Sequence, residues 1–264
     1  MALSVRGLVK EFPGGGRRPT LYRAVRSWFG ASVGRGRTLR ALDGIDMEVR
    51  SGEMVGLVGD NGAGKTTLLK TVAGLYRPTL GRVEVRGEVA LLAGLGVGMI
   101  DELSVAENIY LYGAVCGIPR RTITARFADM VAWAELDGFV EAELRTLSRG
   151  MQTRLAFAIA MHIGSDLLLM DEAFSTGDAR FQDKCDAFFR GARTSGRTAL
   201  VATHNLDFVR EFCDRSVWLH KGRQMAFGAT ARVLAEYAES TARRGAVETE
   251  PAQVSRAGRR SADG

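Results

Sequence analysis

The sequence predicts an α/β fold, with a parallel-sheet core interrupted by a helical insertion. Three observations carry that reading. The apolar run 54–58 (Met-Val-Gly-Leu-Val) leads through a glycine-rich turn straight into a helix-forming run at 68–72. From Asp166 onward, short apolar runs alternate with amphipathic stretches, as successive strand–helix units do. Between about residues 94 and 163 the spacing is helical, with few β-branched runs.

In chain order, residues 3–9 alternate weakly and predict a strand. A Pro/Gly-rich turn then opens a basic insert (13–38), in which 21–29 is expected to form a short helix. Residues 39–49 read as a strand pair, leading through Ser51-Gly52 to the buried strand 54–58. A helix to about Gly74 and two short strands near 82–92 follow. Helical periodicity covers 105–115, 123–133 and 149–162, and Ser104-x-x-Glu107 is a capping box at the first of these. Then come strand 167–171, helix 179–193, strand 198–202, helix 205–212, strand 215–219 and a closing helix 229–239. Residues 241–264 are rich in Arg, Ala, Gly, Glu and Ser, and predict a disordered tail. No internal repeat is visible.

Bulk composition narrows the class. Hydrophobic content of 46% and charged content of 25% over 264 residues fit a globular chain with a full core. Cys116, Cys185 and Cys213 are scattered, without C-x-x-C or a histidine at metal spacing, so they read as core thiols of a reducing compartment. The N-terminus lacks the apolar stretch of a signal peptide, and no run reaches the length of a membrane span. The chain is therefore expected not to cross a membrane by itself. The net charge of +6 is uneven: between Phe12 and Leu42 lie seven arginines and no acid, with Tyr22, Trp28 and Phe29 among them. This is either a solvated basic loop or a surface for lipid headgroups or an anionic substrate. Nucleic acid would suit the charge, but no recognition element accompanies it, so no nucleic-acid partner is expected.

Residues 59–66 read Gly-Asp-Asn-Gly-Ala-Gly-Lys-Thr. Strand, glycine loop and helix in that order build a phosphate site, because backbone N–H groups turn inward and the helix N-terminus adds positive potential. Gly59, Gly62 and Gly64 let backbone approach phosphate without a Cβ in the way. Lys65 would reach the β- and γ-phosphates, and the Thr66 hydroxyl would take one Mg²⁺ position. Further on, Leu167-Leu-Leu-Met170 ends in Asp171-Glu172: one acid to hold Mg²⁺, the other to orient or deprotonate a water. Ser148, with Gly150 two residues on, heads an amphipathic helix and forms a second anion site. His204 follows the apolar strand at 198–202. Taken singly, each has an ordinary reading: a glycine turn, an acid pair at a strand–helix turn, a helix cap, a structural histidine. Their order along one chain is what removes those readings together.

In that order the chain resembles the nucleotide-binding subunit of ABC transporters, over roughly residues 1–240. The resemblance implies a P-loop NTPase core with parallel sheet, a small antiparallel β-subdomain and an inserted helical subdomain (about 94–163). It implies a Walker A loop for ATP at Gly59, Asp60, Asn61, Gly62, Ala63, Gly64, Lys65, Thr66 and Thr67, and a signature motif with Ser148 and Gly150 acting in trans. It further implies Mg²⁺ at Thr66 and Asp171, Glu172 and His204 as catalytic residues, and a D-loop ending at Asp178. The partners implied are a second identical ATPase subunit and separate integral-membrane permease subunits, at the cytoplasmic face of the inner membrane. The stretches Ser-Arg-Gly-Met (148–151) and Asp-Glu-Ala-Phe-Ser-Thr-Gly-Asp-Ala-Arg-Phe-Gln (171–182) are similar to the branch exporting capsule, O-antigen and teichoic-acid polymers. Export of another cargo such as a drug or lipid is the alternative, and a soluble ABC ATPase acting on DNA or ribosomes a more distant one. The chain departs from the family in three places. No glutamine lies between 88 and 110, Arg149 and Met151 flank the signature glycine, and Arg40 stands where an aromatic normally stacks on adenine. Arg40 by its planar guanidinium, or Tyr22 or Trp28 from the insert, is expected to cover the base.

Overall fold

Strands β1 (Leu3–Pro13) and β2 (Thr38–Val49) pair antiparallel from Leu3↔Val49 to Pro13↔Thr38. The computed structural model describes residues 1–13, 38–93, 96–171 and 179–249. The basic insert with its expected helix, Glu172, Asp178 and residues 250–264 lie outside these. The strand pair expected at 39–49 is a single strand. Its Asp43-Gly44 dipeptide, a strong turn signal, is absorbed as a bulge, with a register shift opposite Leu8/Val9. Ile45, Met47 and Val49 then alternate into the core, which only an uninterrupted strand achieves.

Strand β3 (Met54–Val58), wholly buried, leads through the phosphate loop to α1 (Lys65–Val72). Strand β4 (Leu80–Val85) completes a three-stranded sheet of order β2-β1-β4. After β5 (Val89–Ala93) the helical insertion runs α2 (Val105–Val115), α3 (Arg120–Ala134) and α4 (Arg149–Ala160). The chain returns through β6 (Leu167–Asp171), α5 (Ala179–Thr194), β7 (Ala199–Ala202), α6 (Leu206–Phe212), β8 (Arg215–His220), β9 (Arg223–Ala229) and α7 (Thr230–Thr249). The six-stranded sheet has the order β5-β6-β7-β3-β8-β9, parallel except for the β8–β9 pair.

Two cores flank this sheet. One lies between the two sheets and α1, where Leu3, Leu8, Ile45, Leu57, Leu68 and Leu69 are fully buried. The other is aromatic and ties the helical insertion to the main body. Phe157 of α4 stacks on Trp133 of α3 at 5.4 Å and meets Phe181 and Phe188 of α5 edge-on at 5.7 and 5.6 Å. Phe189 carries the contact on to Phe208 of α6 at 4.7 Å. Rings at these separations gain beyond their buried area, so the insertion is packed onto the sheet through side chains and not merely tethered by its two ends.

Two further expectations are corrected. Strand β9 was not expected. It forms because Lys221-Gly222, with φ of 47° and 81°, makes a two-residue hairpin that returns β8 on itself. The closing helix runs to Thr249, so residues 241–249, expected in a disordered tail, are helical. Pairs Arg232–Glu236 at 2.7 Å and Arg243–Glu239 at 3.7 Å lie one turn apart along it, and Arg244 anchors its end to the phosphate loop at Asp60. Low apolar content misled the reading there because Val233 and Leu234 anchor the first half of the helix in the core, while the polar contacts of Arg243 and Arg244 hold its end. Among the described residues no helix is long and apolar enough to cross a membrane.

Candidate nucleotide-binding site

Three neighbouring parallel strands, β3, β7 and β6, end at one edge of the sheet. Their carboxyl ends deliver, respectively, the phosphate loop, His204 and Asp171. Ligands of open α/β sheets bind at such an edge. Here it opens into a cleft of about 700 Å³ lined by Asn61, Gly62, Ala63, Gly64, Lys65, Thr66, Thr67 and Asp171, with Phe12, Leu39, Arg40, Ala41, Lys221 and Gly222 on the other walls. The structure thus brings Lys65, Thr66, Thr67 and Asp171 together from positions more than a hundred residues apart in sequence.

The loop is shaped by its glycines at points where nothing else fits. Gly59 has φ of 146°, and a Cβ there would stand 2.2 Å from the Leu219 carbonyl oxygen of β8. The loop therefore lies directly against the neighbouring strand. Lys65, buried at the first position of α1, folds back over it. Its Nζ donates to the Gly59 carbonyl at 2.7 Å and to the Asp60 carbonyl at 3.3 Å, and lies 3.3 Å from His204 Nε2. The ammonium is thereby held inside the loop, against two of its backbone carbonyls. His204 is held beside it because the next residue, Asn205, caps α6: its side chain accepts from Asp207 N at 3.1 Å and Phe208 N at 3.0 Å.

Ser148 and Gly150 are not part of this cleft. Ser148 caps α4, its Oγ accepting from Met151 N at 3.3 Å, and residues 148–150 are exposed. The approach to that cap is fixed by Gln152, whose Nε2 donates to the Leu144 and Leu147 carbonyls at 3.0 and 3.3 Å. Glu172 and Asp178 lie outside the described residues, as do Tyr22 and Trp28.

Arg40 lines the cleft with its guanidinium fixed between two carboxylates, Glu11 at 2.9 Å and Asp43 at 2.8 Å. Those bonds, Glu11 first, raise its pKa further. Sequence reasoning missed Phe12, Leu39, Lys221 and Gly222. For the last two a signal existed: a Lys-Gly pair between apolar runs. The hairpin tip they form docks on the loop, Gly222 N donating to Ala63 O at 2.9 Å while its carbonyl accepts from Asp43 N at 2.8 Å.

The segment lacking glutamine is organised instead by α2. Asn108 is fully buried; its Oδ1 accepts from Ile100 N at 2.8 Å, and its Nδ2 lies 2.9, 3.1 and 3.0 Å from the carbonyls of Ile100, Leu103 and Ser104. Tyr112 Oη accepts from Gly96 N at 3.3 Å. The Ser104–Glu107 capping box is present, and the bonds from Ser104 hold the Glu107 carboxyl below its ordinary pKa.

A parallel sheet with a glycine loop, buried lysine and strand-end aspartate at one edge defines a nucleotide-binding domain of the P-loop class. Comparison with known proteins narrows this. The ABC transporter family model matches residues 42–175, and the chain belongs to that family. It is 38% identical over 202 residues to the O-antigen export system ATP-binding protein RfbB of Myxococcus xanthus, covering 76% of this chain and 46% of that protein. It is 37% identical over 217 residues to the teichoic acids export ATP-binding protein TagH of Levilactobacillus brevis, covering 82% of this chain and 60% of that one. Both relatives are therefore considerably longer than the part this chain spans. With RfbB of Klebsiella pneumoniae it is 34% identical over 245 residues, 91% of this chain and 98% of that protein. Among solved structures, a dimeric post-hydrolysis state of the ATP-binding cassette MJ0796 bound to ADP and Pi superposes with a TM-score of 0.68 at 21% identity, covering 86% and 98% of the two chains. That likeness speaks to the fold.

Proposed function

We propose that this chain is the ATP-hydrolysing subunit of an exporter of a lipid-linked polysaccharide, working as a pair of identical copies beneath separate permease subunits at the cytoplasmic face of the inner membrane. One observation carries the reading: Lys65, Thr66 and Asp171 line one cleft, while the exposed Ser148 and Gly150 stand outside it. A site so divided is completed by a second copy, whose Ser148 and Gly150 would reach the γ-phosphate that the first copy holds. The export names of the relatives support the cargo class.

The roles follow from the chemistry of each group. Backbone N–H groups of residues 59–67 cradle the phosphates, and Lys65 exchanges its carbonyl partners for the β- and γ-oxygens. The donors at the cleft suit Mg²⁺: a hydroxyl (Thr66) and a single carboxylate (Asp171) are hard oxygen ligands, and this cation takes few protein ligands beside substrate phosphate. When bound there, Mg²⁺ would neutralise charge developing on the phosphate oxygens. Glu172, next in sequence after Asp171, orients or deprotonates the attacking water. His204 contacts the γ-phosphate from the β7 side, and Asp178 belongs to the contact between copies. Loss of the γ-phosphate removes the cross-contacts, and the pair reopens.

Glu172→Gln tests this. The variant should bind ATP, form a stable dimer in ATP and turn over barely at all. Ordinary steady-state hydrolysis would remove Glu172 from its role, and a monomer that hydrolyses ATP at full rate would end the two-copy reading.

A further inference from the structure

The last turns of α7 lie against the phosphate loop. Arg244 Nη1 donates to Asp60 Oδ2 at 2.7 Å and to His220 Nδ1 at 3.0 Å, while Tyr237 Oη donates to Asp60 Oδ1 at 3.2 Å. Both oxygens of a loop carboxylate are thus engaged by one helix, with His220 at the end of β8 lying 3.5 Å from Oδ2. Arg244 Nε adds a bond to the Ser240 carbonyl at 3.3 Å, which keeps the guanidinium pointed back along its own helix.

Asp60 is a demanding residue to place here. It sits between Gly59 and Asn61, and its own carbonyl is 3.3 Å from Lys65 Nζ. Burial alone would raise its pKa, but Arg244 and Tyr237 outweigh that and hold it below the usual carboxylate range. The group is therefore an anion at neutral pH, in the loop that is to receive a far more anionic triphosphate. Asp60 does not itself line the cleft but adjoins Asn61, which does, and like charges repel over several ångströms even at a high effective dielectric constant. Lys65 is the loop's own cation, and α7 supplies a second from the other end of the domain, set directly against the Asp60 carboxylate.

We propose that Arg244 is a positioning residue for ATP: the end of α7 neutralises Asp60, so that the charge of Lys65 in the same loop is left to the incoming nucleotide. The proposal rests on the reading of this loop as the ATP site. It gives the C-terminal helix a part in nucleotide affinity, and by linkage bound ATP strengthens the docking of that helix.

The test exploits sign. ATP affinity is measured on the full chain at low salt with Mg²⁺, and urea unfolding checks that each variant folds. Arg244→Gln removes the guanidinium charge from Asp60 and should raise Kd about tenfold, a deficit that shrinks in high salt. Arg244→Lys, keeping the charge, should stay within about twofold of the parent. Asp60→Asn leaves a surplus cation and should lower Kd, and the double variant Asp60→Asn/Arg244→Gln should return toward the parent value. If Arg244→Gln and Asp60→Asn both weaken binding, the contact merely braces the loop and the proposal fails; an unchanged Kd in Arg244→Gln also overturns it. Lys65→Ala, measured alongside, separates the two readings: it must lose ATP binding, and if it does not, the loop assignment falls and takes this proposal with it.

Discussion

Replacing Gly59 with alanine probes the loop geometry directly, because the structure says what the added methyl would meet. At φ of 146° the backbone lies where side chains are rarely tolerated, and the Cβ would stand 2.2 Å from the Leu219 oxygen and 3.1 Å from Ala63 Cβ. That oxygen belongs to β8, which pairs with both β3 and β9, so it cannot retreat without disturbing two ladders. The conformational strain is about 1–3 kcal/mol, and overpacking against backbone adds about 1–3 kcal/mol. A smaller unfolded-state gain of about 0.4–1 kcal/mol offsets part of this. The net expectation is a loss of about 3–4 kcal/mol. Gly62 is the internal control: its φ is 76°, yet no atom lies within 4 Å of the would-be Cβ, so Gly62→Ala should lose only about 1 kcal/mol. Urea unfolding followed by Trp133 and Trp218 fluorescence measures both, with ATP affinity as the functional readout. If the two variants unfold within experimental error of each other, the loop does not lie against β8 as described.

Two further outcomes follow from single contacts. Asn205→Ala removes both cap bonds of α6 and should destabilise the chain by about 1 kcal/mol, while displacing His204 enough to reduce ATP turnover; chemical unfolding and steady-state hydrolysis check the two effects separately. Burial, aided by Asp186 and Asp214 respectively, pushes the thiols of Cys185 and Cys213 up to about 12. Below the ordinary thiol range, near about 8.5, folded and unfolded chains both hold these protons; above it only the unfolded chain releases them, so stability falls as pH rises from there toward 12. Unfolding free energies at pH 7 to 10 should therefore decline more steeply in the parent than in the variant Cys185→Ala/Cys213→Ala, and parallel slopes would refute the buried-thiol argument.

Much of the fold was legible because local chemistry and tertiary environment agree. The apolar strands β3 and β6 are buried on both faces, so their letters are apolar whatever surrounds them, and the capping box at Ser104 is satisfied within four residues. Where the two levels disagree, reading the letters failed. Asp43-Gly44 carries a turn signal, but pairing with β1 on one edge keeps β2 extended. Residues 241–249 look too polar to fold, yet they are helical, and Arg244 finds its partner some 184 positions away. Asn108 within α2 was missed for another reason: its backbone partners lie only four to eight residues away, but they converge on it only once the turn before the helix has folded back.

The kind of site is written in a short run of residues. Glycine, lysine and hydroxyl spacing around a strand–helix junction is a local property, because backbone N–H direction and helix potential act over only a few residues. The tertiary structure decided which distant groups share that site. The ordering of β6, β7 and β3 in the sheet puts Asp171 and His204 beside the loop, and the packing of α7 on β8 and β9 brings Arg244 to Asp60, while Ser148 stands outside the cleft. Those neighbours are set by strand order and by charge pairing across the folded domain, which no stretch of contiguous residues encodes.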